Sequence, residues 1–139
     1  MMKRSVYVFA ALAACMAFAA CQPPTQAPAE TTAIAANGDM PANVGDCSDT
    51  SVGAIGPRLE GLPDSGSAIQ YSNGGAQVSY DVVPAINQSQ PGDAIRLCLV
   101  SIPENCPPGD DRGRVYTATN ARTGGTWTLP DSQHMCGGA

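Results

Sequence analysis

The sequence is poor in positive charge. Its single lysine, Lys3, and its first arginine, Arg4, stand at the very start, and only Arg58, Arg96, Arg112, Arg114 and Arg122 follow. Beyond residue 20, those five arginines face all twelve acids, a balance of −7. Such a surface repels phosphate backbones, so nucleic acid is not an expected partner. It also lacks a polybasic segment that would draw it to anionic lipid. Histidine is scarce, His134 being the only one, and no CxxC pair occurs. That leaves no ligand set for zinc, and neither a metal nor a cofactor is expected. No GxSxG motif is present, so a nucleophile elbow is excluded. Aromatic residues make up 5% of the chain, which implies a lean core in need of covalent support.

What is present begins with MMKRSVYVFAALAACMAFAACQ. Lys3 and Arg4 lead an apolar run from Val6 to Ala20, which is shorter than the roughly twenty residues of a spanning helix. A cationic start, a short apolar body and small residues at its end form the pattern of an export signal. Phe18-Ala19-Ala20-Cys21 resembles the lipobox of bacterial lipoproteins. The resemblance implies that Cys21 is lipidated on sulfur and becomes the new N-terminus. Leu12-Ala13-Ala14-Cys15 also fits a lipobox, which makes Cys15 the alternative. A cut before Cys15 would shorten the apolar body to about eight residues. A cut before Cys21 leaves the polar start Gln22-Pro23-Pro24-Thr25, so Cys21 is preferred. In the same class an aspartate after the cysteine marks inner-membrane retention. Gln22 stands there instead, which implies the outer membrane, with the domain facing the periplasm.

The division that follows is a signal peptide over residues 1–20, a lipidated cysteine and tether over 21–45, and a small domain over 46–139. The tether is rich in proline, alanine and threonine and has no period, so it cannot offset its own chain entropy by burial. Four cysteines remain in the domain: Cys47, Cys98, Cys106 and Cys136. An even number in an exported chain reads as a disulfide framework. Of the three pairings, Cys47–Cys136 with Cys98–Cys106 is favoured, as a clasp of the two ends plus a strand-to-loop staple.

The domain reads as strands. Residues 48–66 carry a helical beat at Val52, Ile55, Leu59 and Leu62, but Gly53, Gly56, Gly61 and Pro57 oppose a helix. The segment is read as irregular, with one short strand at most. Ile69 and Tyr71, then Val78, Tyr80 and Val82, alternate with polar residues on either side of Asn73-Gly74-Gly75. This predicts a tight hairpin ended by Pro84. Ala94–Ile102 is apolar on both faces and is expected to lie centrally in its sheet. Val115–Thr119 and Thr126–Leu129 predict a second hairpin. Tyr71, Tyr80, Tyr116 and Trp127 are the aromatic core candidates. The sum is an all-β fold, a small disulfide-stapled sandwich or partly open barrel of five or more short strands.

Several groups are candidates for function. In Asp110-Asp111-Arg112-Gly113-Arg114 the carboxylates could hold calcium, or the arginines an anion; the plainer reading is a solvated loop whose charges satisfy one another. His134 with Asp131 or Asp111 is the constellation for a hydrolytic base. No catalytic residue is assigned, and the leading reading is non-enzymatic. Trp127 with Tyr116 is either an exposed stacking platform or core. Ser65-Gly66-Ser67-Ala68-Ile69-Gln70-Tyr71, followed by Asn73-Gly74-Gly75, resembles the Ser-Gly-rich motif of the membrane-bound lysozyme inhibitors, small lipidated β-barrels. That resemblance implies a lysozyme-contacting loop carrying Ser65, Ser67 and Tyr71, although that family's basic position falls here in the acidic Val78-Ser79-Tyr80-Asp81. The leading expectation is a lipid-anchored binding or structural domain whose partner is an envelope protein or glycan.

Overall fold

The computed structural model of the chain describes residues 38–138. The signal peptide, Cys15, Cys21 and most of the tether lie outside them. Six antiparallel strands form one open sheet in the order β3-β2-β1-β4-β5-β6. They are β1 (Cys47–Leu59), β2 (Leu62–Tyr71), β3 (Ala76–Ser79), β4 (Ala94–Ser101), β5 (Val115–Asn120) and β6 (Thr126–Pro130), with a single turn of helix, α1 (Pro84–Asn87), between β3 and β4.

The segment expected to be irregular is the longest strand. β1 pairs with β4 over Cys47–Ser51 and with β2 from Val52 to Leu59. Its glycines bend the strand rather than break it. The register shifts between Val52 and Ala54, at Gly53, where the strand passes from one neighbour to the other. A bulge there adds twist and lets one strand serve two halves of a rolled sheet. Pro57 is tolerated because this half of β1 has a ladder partner on one side only.

The β2–β3 hairpin forms where expected but with its faces exchanged. Ile69 pairs with Gln77, and Tyr71 bonds back to Gly75 through its N–H. The loop therefore holds three residues, Ser72-Asn73-Gly74. Gly74 has φ +87°, whereas Asn73 does not enter the positive region. A two-residue Asn-Gly turn would have set Val78 opposite Ile69. One extra loop residue slips the register by one and turns every later side chain over. Gln77 and Ser79 thus point inward, and Tyr80 is 59% exposed rather than part of the core. The strand also stops at Ser79, short of Pro84, because the Ser79 hydroxyl accepts from Asp81 N and the Ser67 hydroxyl accepts from Val83 N.

β4 is central as expected, between β1 and β5. Ile95, Leu97 and Leu99 face the core, while Val100 and Ile102 are exposed. With Val52, Ile69, Tyr71, Ile86, Tyr116, Ala118 and Trp127 they form one cluster, each large side chain contributing about 1.5–3 kcal/mol by burial. The sheet rolls until its end strands, β3 and β6, lie side by side. The side chain of Gln77, fully buried, spans that seam. Its amide nitrogen donates to Tyr116 O (2.6 Å) and Leu129 O (2.8 Å). Its oxygen accepts from Tyr71 Oη (2.6 Å) and Trp127 Nε1 (2.9 Å). Residues before β1 also join the domain: Pro41 is buried and Met40 packs on the core.

The disulfides are Cys47–Cys98 and Cys106–Cys136, which overturns the favoured pairing. Cys47 and Cys98 face each other across β1 and β4 with Cα atoms 4.0 Å apart. Leu99 N–H donates to Asp46 O beside them, so they occupy a non-hydrogen-bonded rung, where side chains approach most closely. Cys106 lies in the loop before β5, next to the C-terminal tail, and so meets Cys136. Chain separation could not reveal either neighbour. In the chain-entropy account the 51-residue and 30-residue separations correspond to about 4.1 and about 3.7 kcal/mol.

Candidate functional site

A polar cleft of about 360 Å³ opens where four parts of the chain meet. Met40 comes from the segment before β1, and Gly74, Gly75 and Ala76 from the β2–β3 turn. Asp111, Arg114 and Tyr116 come from the approach to β5 and its start, and Asp131 follows β6. A Cβ at Gly75 would press on the Met40 thioether, 2.8 Å from its Cε, so a side chain there would have to displace the flexible end of Met40. The loop before β5 is fixed from behind. Asp131 Oδ1 accepts from Gly113 N at 2.7 Å, and Asp131 N donates to Arg114 O.

Within the cleft, charges are only partly satisfied. Arg114 is 29% exposed and pairs through one terminal nitrogen with Asp111 at 3.1 Å, a carboxylate that is itself 77% exposed. Arg114 Nε is buried without a partner among the described residues. Burial pushes the Asp131 carboxyl up from its ordinary range, against the Gly113 N–H and the Arg114 charge, which pull it down. Burial also raises the Tyr116 phenol.

The rest of the charged loop serves the tail. Asp110 takes Arg112 in a two-toothed pair at 2.8 Å and also accepts from Gly137 N at 3.0 Å. The Arg112 guanidinium holds the Asp110 carboxyl well below the usual carboxylate range. Arg112 O accepts from Cys136 N, so this pair braces the C-terminal disulfide. Of the predicted cluster, Asp111 and Arg114 reach the cleft. His134 is exposed, and its backbone exchanges hydrogen bonds with the Ser132 hydroxyl. No hydrogen bond joins it to Asp131 among the described residues.

Ser67, Tyr71 and Trp127 lie in the interior rather than on a loop. Ser67 is 1% exposed, and Tyr71 and Trp127 both donate to Gln77. Ser65 uses its hydroxyl to accept from Leu59 N inside the β1–β2 hairpin. The Ser-Gly stretch is therefore part of β2, with Gly66 and Ser67 buried and Ser65 half-buried, and not a projecting loop.

A second polar cluster was not found by sequence reasoning. Asp93, at the start of β4, accepts from Arg122 Nε (2.6 Å) and Nη2 (2.8 Å), from Asn120 Nδ2 (2.8 Å) and from Gln90 N (2.8 Å). Asn120, fully buried, also donates to Ser89 and caps Arg122 N and Thr123 N. The network ties the α1 end, the β4 start and the β5–β6 loop. Its only sequence signals were Pro91-Gly92-Asp93 and an asparagine ahead of Gly124-Gly125, both of which read simply as turns. Hydrogen bonding from Arg122 holds the Asp93 carboxyl far below its ordinary range. A depressed folded pKa gives stability that is present above the unfolded value near 3.9 and lost as pH falls through the folded one. The urea midpoint of Asp93→Asn should lie below wild type at pH 7, and the gap should shrink steadily below about pH 4. A gap independent of pH would refute this account.

No family model matches the chain, and neither a curated protein nor a solved structure does.

Proposed function

We propose that this chain is a lipid-anchored protein of the cell envelope, held to the outer membrane through acyl chains on Cys21 and facing the periplasm, whose β domain binds or supports an envelope protein or glycan without catalysing a reaction. The observation that carries the reading is covalent. All four cysteines beyond residue 21 are joined in two disulfides, as suits an oxidising compartment, behind a leader of export type that ends in a cysteine. The geometry favours binding over catalysis. The one histidine has no acid oriented on it among the described residues, whereas the cleft offers fixed charges of both signs. A lysozyme-inhibitor role draws no support from Ser67 and Tyr71, which are interior.

Cells given labelled palmitate should incorporate label into the wild-type chain and into Cys15→Ser, and lose it in Cys21→Ser. Label that survives the double replacement of Cys15 and Cys21, or that never appears on the wild type, would overturn the anchor.

A further inference from the structure

The cleft holds a cation and an anion that do not neutralise each other. Arg114 and Asp131 both line it, and the guanidinium's charge acts on the Asp131 carboxyl. Yet among the described residues Arg114 has one ion pair, with Asp111, and otherwise only the Tyr116 hydroxyl beside it, and no side chain bonds the Asp131 carboxylate, which accepts from Gly113 N. The guanidinium is poorly provided for, with one exposed ion pair and a buried Nε that donates to nothing among the described residues. A group in that condition gains more than usual from a further acceptor. Beside these charges stand a thioether, Met40, and the ring of Tyr116, together with the backbone of Gly74 and Gly75, where no side chain intrudes.

We propose that this cleft binds a small zwitterion of amino-acid size, its carboxylate on Arg114 and its ammonium on Asp131, with the Met40 thioether against its side chain. The volume of about 360 Å³ sits at the low end of small-molecule sites, which suits one or two residues and excludes a folded chain. A ligand with a single charge would satisfy one wall and leave the other unpaired. Arg114 would exchange its solvated partner Asp111 for a better enclosed one. The binding role proposed above provides the setting, but the two ideas fail separately, since palmitate labelling tests the anchor and the next experiment tests only the cleft.

The full chain, labelled with nitrogen-15 and held in detergent, is titrated with alanine, dialanine, acetate and methylamine. Alanine or dialanine should shift the amides of Gly74, Gly75, Gly113 and Asp131 and leave Gly61 unmoved. Each half-ligand should bind at least about tenfold more weakly than the better zwitterion. Asp131→Asn keeps an acceptor for Gly113 N and should weaken zwitterion binding by about tenfold while leaving acetate binding undiminished. Arg114→Gln should abolish both. Acetate binding as tightly as the zwitterions would reduce the site to a carboxylate hole and overturn the proposal. So would the absence of any shift at about 10 mM of every ligand, or shifts away from the four cleft amides.

Discussion

Gln77→Leu is expected to cost about 4 kcal/mol, a large share of the roughly 5–15 kcal/mol that holds a domain of this size. Leucine matches the glutamine in size and is apolar, so on hydrophobicity alone it should be welcome in a fully buried position. It strands two groups outright. The Tyr71 hydroxyl and the Trp127 indole N–H lose their acceptor, while the carbonyls of Tyr116 and Leu129, opposite each other on a hydrogen-bonded rung of β5 and β6, lose a second donor but keep the ladder. Each buried polar group left alone costs about 1–3 kcal/mol, and relaxation recovers part of the sum. The loss falls at the seam between β3 and β6, where the side chain takes the place of a backbone ladder. Urea denaturation followed by Trp127 fluorescence, with both disulfides intact, measures it. A midpoint indistinguishable from wild type would show that the seam does not depend on this amide.

Gly66→Ala should cost a similar amount, about 4 kcal/mol, by a different route. Gly66 lies inside β2 at φ +117°, a conformation nearly closed to residues with a side chain. A Cβ built there runs into the carbonyl oxygen of Ser79 and lies 2.8 Å from the carbonyl carbon of Tyr80. Those atoms are backbone, so relief requires moving β3 away from β2. Ser67, next in the chain, receives Val83 N and would be dragged with it. Gly61→Ala is the comparison. It too has a positive φ, but nothing lies within 4 Å of its Cβ, so it should cost only the conformational part, about 1–2 kcal/mol. Equal midpoints for the two variants would refute the steric account of Gly66.

What could be read from the sequence was what depends on composition and period. Alternation gave the β2–β3 hairpin, β-prone residue types gave β5 and β6, and the apolar run of β4 gave both that strand and its central place; together they gave the all-β class. What escaped depends on a single residue or on distant neighbours. Whether Ser72 belongs to the strand or to the loop decides which face of β3 is inside, and Asn-Gly dipeptides serve turns of both lengths. Gln77 was invisible for the same reason, since a polar residue at an inward position looks like an outward one in the wrong register. Gly53 and Pro57 read as breakers because the sequence does not say that β1 changes partner there. The pairing of Cys47 with Cys98 follows from the β1–β4 register, which joins segments about fifty residues apart. At the cleft, Asp111 and Arg114 are legible together as one charged loop, and Asp131 only as a neighbour of His134. The meeting of that loop with Asp131 and with the turn at Gly74 is a product of the rolled sheet.

The rung that joins Cys47 to Cys98 also decides how the fold meets mechanical tension. A pull transmitted along the backbone from residues before 38 must first draw Met40 and Pro41 off the core and open the few backbone hydrogen bonds of this segment, Gly38 N to Asp49 O, Gly45 N to Leu99 O and Leu99 N to Asp46 O. The next rung is covalent. Force arriving there passes through sulfur into β4, the middle of the sheet, and cannot peel β1 from its end. A chain tugged at its front would therefore give up a few residues of slack and then resist as a whole.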